Sequence, residues 1–134
     1  MPGHDAAHWL HRLTATEWLA AARNELVRAR HALATKDHRG GVTQARRAAG
    51  MAWNAFMATH GGSEDRYGRS YMDHLKALSH DEDVTELVRA AATALCDSKL
   101  NQDLVQLGPG STVLADRAEE ILAYVADYRA PVGP

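Results

Sequence analysis

Cysteine is nearly missing from this chain: Cys96 is the only one in 134 residues. A single thiol excludes an internal disulfide and every CxxC zinc or redox motif, and it fits a reducing compartment. Cys96 itself reads as an inert core thiol. An excess of charge of one sign is missing too, with 15 basic against 17 acidic side chains and a net charge of −2. No global field draws in nucleic acid or an anionic membrane, so any anion site has to be local and built on arginines. No run of about 18 apolar residues exists, so no membrane span is expected. The N-terminus, "MPGHDAAHWLHRL", lacks a basic stretch followed by an apolar one, so no secretory signal is expected and the cytoplasm is the expected location. Phosphate-cradling glycine motifs, a Gly-x-Ser-x-Gly elbow and a Cys-His nucleophile pair are all lacking. No Glu-x-x-His pair occurs, which argues against a ferritin-like dimetal bundle.

What is present is a helical scaffold. The length suits one domain, and 46% hydrophobic with 24% charged residues is an ordinary globular balance. No segment shows the sustained period-two alternation of a strand. At "LTATEW" Thr14 can cap a helix and Glu17 can close a capping box, with Leu13 and Trp18 in staple positions. Trp18, Ala22, Leu26, Ala29 and Leu33 then recur on one face, and the helix runs to about Lys36. A second helix is expected from about Arg39 to His60, with Val42, Ala45, Ala49, Trp53, Phe56 and Met57 as its stripe. Gly40 and Gly41 should fray its start, and Gly61 and Gly62 should stop it. A third helix is expected from about Asp83 to Lys99, capped by Asp83 with Glu86, and a fourth from about Thr112 to Tyr128. Between the last two, "NQDLVQLGPGST" reads as a loop. Four amphipathic helices with a short extra helix between the second and third favour an all-α, antiparallel up-down four-helix bundle. Residues 1–13 form an N-terminal extension, 14–128 the helical domain and 129–134 a tail.

Chemistry-bearing side chains concentrate in "EDRYGRSYMDHLKAL", residues 64–78. Tyr67, Tyr71, Leu75 and Leu78 fall at helical spacing, and Ser70 with Asp73 resembles a cap. Arg69 and His74 stand as Arg-x4-His. A histidine can shift a proton from a ribose hydroxyl or to a leaving oxygen, while an arginine stabilises charge at phosphorus. Arg69 and His74 are therefore the candidate catalytic pair, and Arg66, Tyr67, Arg69, Tyr71, Asp73 and His74 the candidate ligand-binding set. The bland alternative is that the tyrosines anchor the short helix, Asp73 caps it and the arginines are solvated or paired. Positions i and i+5 on a helix differ by about 140°, so convergence needs Arg69 ahead of the helix proper or two copies side by side. His4, His8 and His11, at i, i+4 and i+7, are weak candidates for a metal site, and no cofactor is implied. Arg39, Arg46 and Arg47 could hold a phosphate backbone or form a solvated face. Trp9, Trp18 and Trp53 read as core or interface residues. Trp9 and Leu10, together with Leu104, Val105 and Leu107, exceed what one small bundle readily buries, which favours a homodimer.

Taken in order, "EWLAAARNELVRARHALATKDHR", "QARRAAGMAWNAFMATHGG" and "YMDHLKAL" before a third long helix resemble the HEPN family of small helical bundles, over about residues 14–128. The resemblance implies a four- or five-helix bundle that dimerises. It implies either a metal-independent ribonuclease using an Arg-x4-6-His motif or a partner of a nucleotidyltransferase. Only Arg69 and His74 match the catalytic spacing. Ser70 follows the arginine where active members carry Asn, Asp or His, and the motif lies earlier than usual. The expectation is a non-catalytic interaction module for a nucleotide, RNA or protein. A ribonuclease is the alternative and a metal-binding bundle the second alternative.

Overall fold

The computed structural model describes residues 9–61, 64–98 and 111–129, and most of those residues are helical, with no strand among them. Among the described residues a 3-10 turn, Leu10–Arg12, precedes six helices: α1 (Ala15–Ala34), α2 (His38–His60), α3 (Glu64–Tyr67), α4 (Tyr71–Leu78), α5 (Glu86–Asp97) and α6 (Val113–Asp127). The expectations placed on His4, His8, Leu104, Val105 and Leu107 lie outside the described residues.

α1 begins as its sequence requires. Thr14 Oγ1 accepts from the Glu17 amide at 3.1 Å, and the Thr14 amide donates to Glu17 Oε1 at 2.9 Å. These bonds satisfy amides that have no partner within the helix. Trp18 donates its indole N–H to the Leu10 carbonyl at 2.8 Å, which ties the 3-10 turn to α1. Leu10 is buried in the core and Trp9 packs against it. Two residues expected to seek a second chain are therefore covered, wholly or in part, by their own.

The glycine-weakened start of α2 is not frayed. The helix opens at His38, with the Asp37 carboxylate accepting from the Gly40 amide at 3.0 Å. A Cβ on Gly41 would lie 2.3 Å from Leu33 Cδ2. The missing side chain lets α2 approach the end of α1, and that packing outweighs the poor intrinsic propensity of glycine. Ala45, Ala48, Ala49, Ala52 and Ala55 continue the close approach as buried residues along α2. This helix is central: it packs on α1, α4 and α6, while α5 packs on α4 and α6. Arg30 adds a polar tie from α1 to α6, donating to Asp116 at 2.7 Å and also to Glu119.

The connection between α2 and α5 contains two short helices where one was expected. α5 also starts later than Asp83. Thr85, with extended backbone, accepts from the Val88 amide at 3.3 Å and forms the cap. The Asp83 carboxylate is drawn to Arg66 at 2.8 Å. At the other end of α5, Arg46 reaches across from α2 and donates to the carbonyls of Leu95 at 2.8 Å and Ser98 at 2.5 Å. A cation there satisfies open carbonyls and complements the negative end of the helix dipole.

Candidate functional site

The Arg66 to His74 stretch turns from α3 into α4. Ser70 caps α4 as its sequence suggests, with Oγ accepting from the Asp73 amide at 3.0 Å. Four residues beyond that cap, His74 is directed into the bundle, where it is 0% exposed. Its Nδ1 lies 2.7 Å from the Tyr67 carbonyl oxygen, and its Nε2 lies 2.8 Å from the side-chain Oδ1 of Asn54, a residue itself 1% exposed.

A backbone carbonyl only accepts, so Nδ1 carries the proton and donates it to Tyr67. Burial pushes the imidazole pKa below its ordinary value, opposed by the Tyr67 carbonyl and by Asp73. The ring is neutral, and Nε2 presents a lone pair. The Asn54 amide satisfies that lone pair when its NH2 rather than its oxygen faces the ring, an exchange that leaves its shape unchanged. Trp9 stacks over the ring with centroids 6.3 Å apart, and Tyr71 meets it edge-on at 6.4 Å. Both nitrogens are engaged and no ring atom reaches the surface, so in this conformation His74 has no route for a proton to an external phosphate.

Arg69 is exposed, and its guanidinium carbon lies 5.5 Å from the centre of the Trp9 ring. The indole of Trp9 is the group that Arg69 and His74 both touch.

Arg66 belongs to a different cluster. It donates to Asp81 at 2.5 Å and to Asp83 at 2.8 Å. Tyr67 donates its hydroxyl to the other oxygen of Asp81 at 2.7 Å. Burial, followed by this bond to Asp81, pushes the phenol pKa far up, so it stays protonated as a donor. Arg89 completes the corner by donating to the carbonyls of Asp81 at 3.0 Å and Val84 at 2.7 Å. Asp81 thereby joins α3 to the loop before α5, and its side chain is only 1% exposed.

Tyr71 lies on Gly50 of α2, where a Cβ would come within 2.3 Å of the ring. Burial raises the pKa of the Tyr71 hydroxyl. Asp73 is exposed at the first turn of α4, and its carboxyl is held below the usual range chiefly by the Ser70 side chain. Four of the six candidates thus divide between a His74 and Tyr71 seam against α2 and an Arg66 and Tyr67 corner on Asp81, while Arg69 lies over Trp9 and Asp73 stays exposed beside Ser70. Asn54, Gly50, Asp81 and Trp9 complete these clusters. Asn54 carried a readable signal, a polar residue set among Trp53, Ala55 and other buried positions of one helix. Asp81 carried none, because its partners lie 14 and 15 positions away.

In the basic stretch of α2, Arg39 is exposed, whereas Arg46 and Arg47 are used internally. Arg46 caps α5, and Arg47 donates to the buried Glu25 at 3.0 Å, which also accepts from Arg28 at 2.8 Å. Among the described residues no three histidine, cysteine or carboxylate side chains converge to hold a metal ion. No helix among them is long and apolar enough to cross a membrane.

One surface feature stands apart from the expected site. A groove of about 490 Å³ runs between α5 and α6, lined by Leu87, Val88, Ala123, Tyr124 and Tyr128, with Glu120, Asp127 and Arg129 beside them. Leu87, 54% exposed, and Val27 on α1, 67% exposed, are the large hydrophobic residues left open among the described residues. Behind Tyr124 and Tyr128 lie Phe56 and Trp53, whose rings stack with centroids 4.2 Å apart. No protein-family model, curated protein or solved structure matches this chain.

Proposed function

We propose that this chain is a non-catalytic interaction module on a HEPN-like scaffold, an antiparallel up-down bundle that binds another macromolecule. The observation that supports this reading best is the state of His74: neutral, without exposed surface, and bonded through both ring nitrogens to Tyr67 and Asn54. A general acid or base needs a proton path to the substrate, and an interaction module does not. Within the classes of nucleotide, RNA and protein, a protein partner is the better supported. Arg66 and Arg47 already serve carboxylates, and Arg46 serves carbonyls, so three cations that could face phosphates are committed within the fold. A second copy of the chain falls within this class of partner.

The competing reading is a metal-independent ribonuclease, in which exposed Arg69 beside Trp9 holds the phosphate. A cleavage assay in EDTA on mixed structured and single-stranded RNAs separates the two, comparing wild type with Arg69→Ala and His74→Gln. Cleavage no greater than a buffer control is expected from all three proteins. EDTA-resistant cleavage by wild type that is lost in Arg69→Ala would overturn the proposal.

A further inference from the structure

We propose that the seam between α1 and α2 binds an acidic segment of a partner protein, with one carboxylate of that segment held by Arg28 and Arg47. This rests on the interaction-module reading and names its surface and the chemistry of its partner. Glu25 is 5% exposed, and its two oxygens are taken separately: Oε1 accepts from Arg28 Nη1 at 2.8 Å, and Oε2 accepts from Arg47 Nε at 3.0 Å. One buried carboxylate needs one cation and this one has two, so the cluster carries a surplus positive charge. Both guanidinium groups are tied to Glu25, yet the Arg28 side chain is 67% exposed and that of Arg47 49%.

Each arginine gives one nitrogen to Glu25, and among the described residues its other nitrogens meet no acceptor. Such a fork, fixed in place by a buried partner, matches a planar carboxylate through paired hydrogen bonds. A third donor comes from α4. Burial is the main cause of the raised Tyr71 pKa, with Arg47 opposing the rise and Glu25 adding to it, so the hydroxyl lies within electrostatic reach of both. It has no hydrogen-bond partner among the described residues.

Arg28 also lines a cavity of about 580 Å³ along the same seam, with Val27, His31, Ala32, Thr35 and Gln44 around it. Val27 and Ala32 offer an apolar strip to the side chain beside the bound carboxylate. Asp37 lies at the far end of this cavity. It is about 15 Å from Arg47 by the rise of α2, beyond a Debye length of about 8 Å, and exposed Lys36 and Arg39 flank it in sequence. Arg28, Arg47, Lys36 and Arg39 thus outnumber Glu25 and Asp37 here. The surplus at the arginine pair is a single charge, which suits one carboxylate. A nucleic acid presents a row of phosphates, and the nearby Arg46 and Arg30 do not extend the pair into a matching row, because Arg46 caps α5 and Arg30 is bonded to Asp116 and Glu119.

The test uses the full chain, isotope-labelled for amide and arginine side-chain NMR, and two short synthetic peptides. One carries a glutamate beside a leucine, and its twin carries glutamine in place of the glutamate. With the glutamate peptide, shifts are expected at the Nε–H groups of Arg28 and Arg47 and at the Gln44 and Tyr71 amides, and few with the twin. Binding should weaken about tenfold in Arg28→Gln, which leaves Arg47 on Glu25, and about threefold in Tyr71→Phe, which keeps the ring on Gly50. Circular dichroism checks that each variant folds, and Tyr71→Phe carries the test if Arg28→Gln does not. Equal binding of the two peptides, shifts outside the seam, no binding, or unchanged affinity in the folded variants would overturn the inference. So would a single-stranded RNA that displaces the glutamate peptide at equal concentration, since the seam would then serve phosphates. Absent peptide binding with absent RNA cleavage removes this inference alone, whereas cleavage lost in Arg69→Ala removes the module reading beneath it.

Discussion

His74 on α4 and Asn54 on α2 meet through a 2.8 Å contact between the imidazole Nε2 and the side-chain amide, with almost no surface of either residue in water. Such a polar pair in an apolar interface is favourable only when each partner is satisfied, so it specifies one register of α4 against α2. The rest of the site follows from that register, because it sets where Tyr71, Trp9 and the Tyr67 carbonyl lie around the ring.

The pH dependence of folding should report His74 directly. Burial holds its folded pKa below the unfolded value of about 6.5, so in acid the unfolded chain binds the extra proton. The His74 contribution is therefore intact above about pH 6.5 and is lost as pH falls through that value, levelling off below the folded pKa. Urea unfolding between about pH 7.5 and pH 5 should show a decline that is shallower in His74→Gln. Parallel profiles for the two proteins would mean that the imidazole is not held neutral.

Asp81 and Arg66 share one ion pair but should not be equally costly to remove. The Asp81 side chain is 1% exposed and also accepts from Tyr67, whereas the Arg66 side chain is 49% exposed and keeps solvent as a substitute partner. Asp81→Ala strands a buried phenol hydroxyl and should cost about 3 kcal/mol, against about 1 kcal/mol or less for Arg66→Ala. Chemical denaturation of both variants at neutral pH measures the difference. Equal losses would place the strength of this corner in the ion pair rather than in the buried acceptor.

Gly50 and Tyr71 should behave as one unit. A Cβ at position 50 would lie 2.3 Å from the Tyr71 ring, so Gly50→Ala has to displace that ring or part α2 from α4, at a cost of about 2 kcal/mol. Tyr71→Ala makes room for the added methyl, and the double variant should be more stable than the sum of the single losses implies. A double-mutant cycle reads the coupling, and additive losses would show that the contact does not constrain the helices.

Interactions within a few positions were legible from the order of residues. Thr14 with Glu17 and Ser70 with Asp73 are caps because a short side chain reaches the open amides of its own first turn, whatever else the chain does. The stripe of Trp18, Ala22, Leu26, Ala29 and Leu33 had to be buried because one face of a regular helix collects it. Polar residues at helical positions were not legible, because their roles depend on which faces meet. Arg46 looked like a solvated cation and caps a helix about 50 positions away. Gly40 and Gly41 looked like weak points, yet Gly41 lets two helices touch. His74 looked like a proton carrier and lies between Asn54 and the Tyr67 carbonyl. Periodicity and capping depend on near neighbours along the chain, whereas desolvation and partner choice for a buried polar group depend on distant segments brought together by packing.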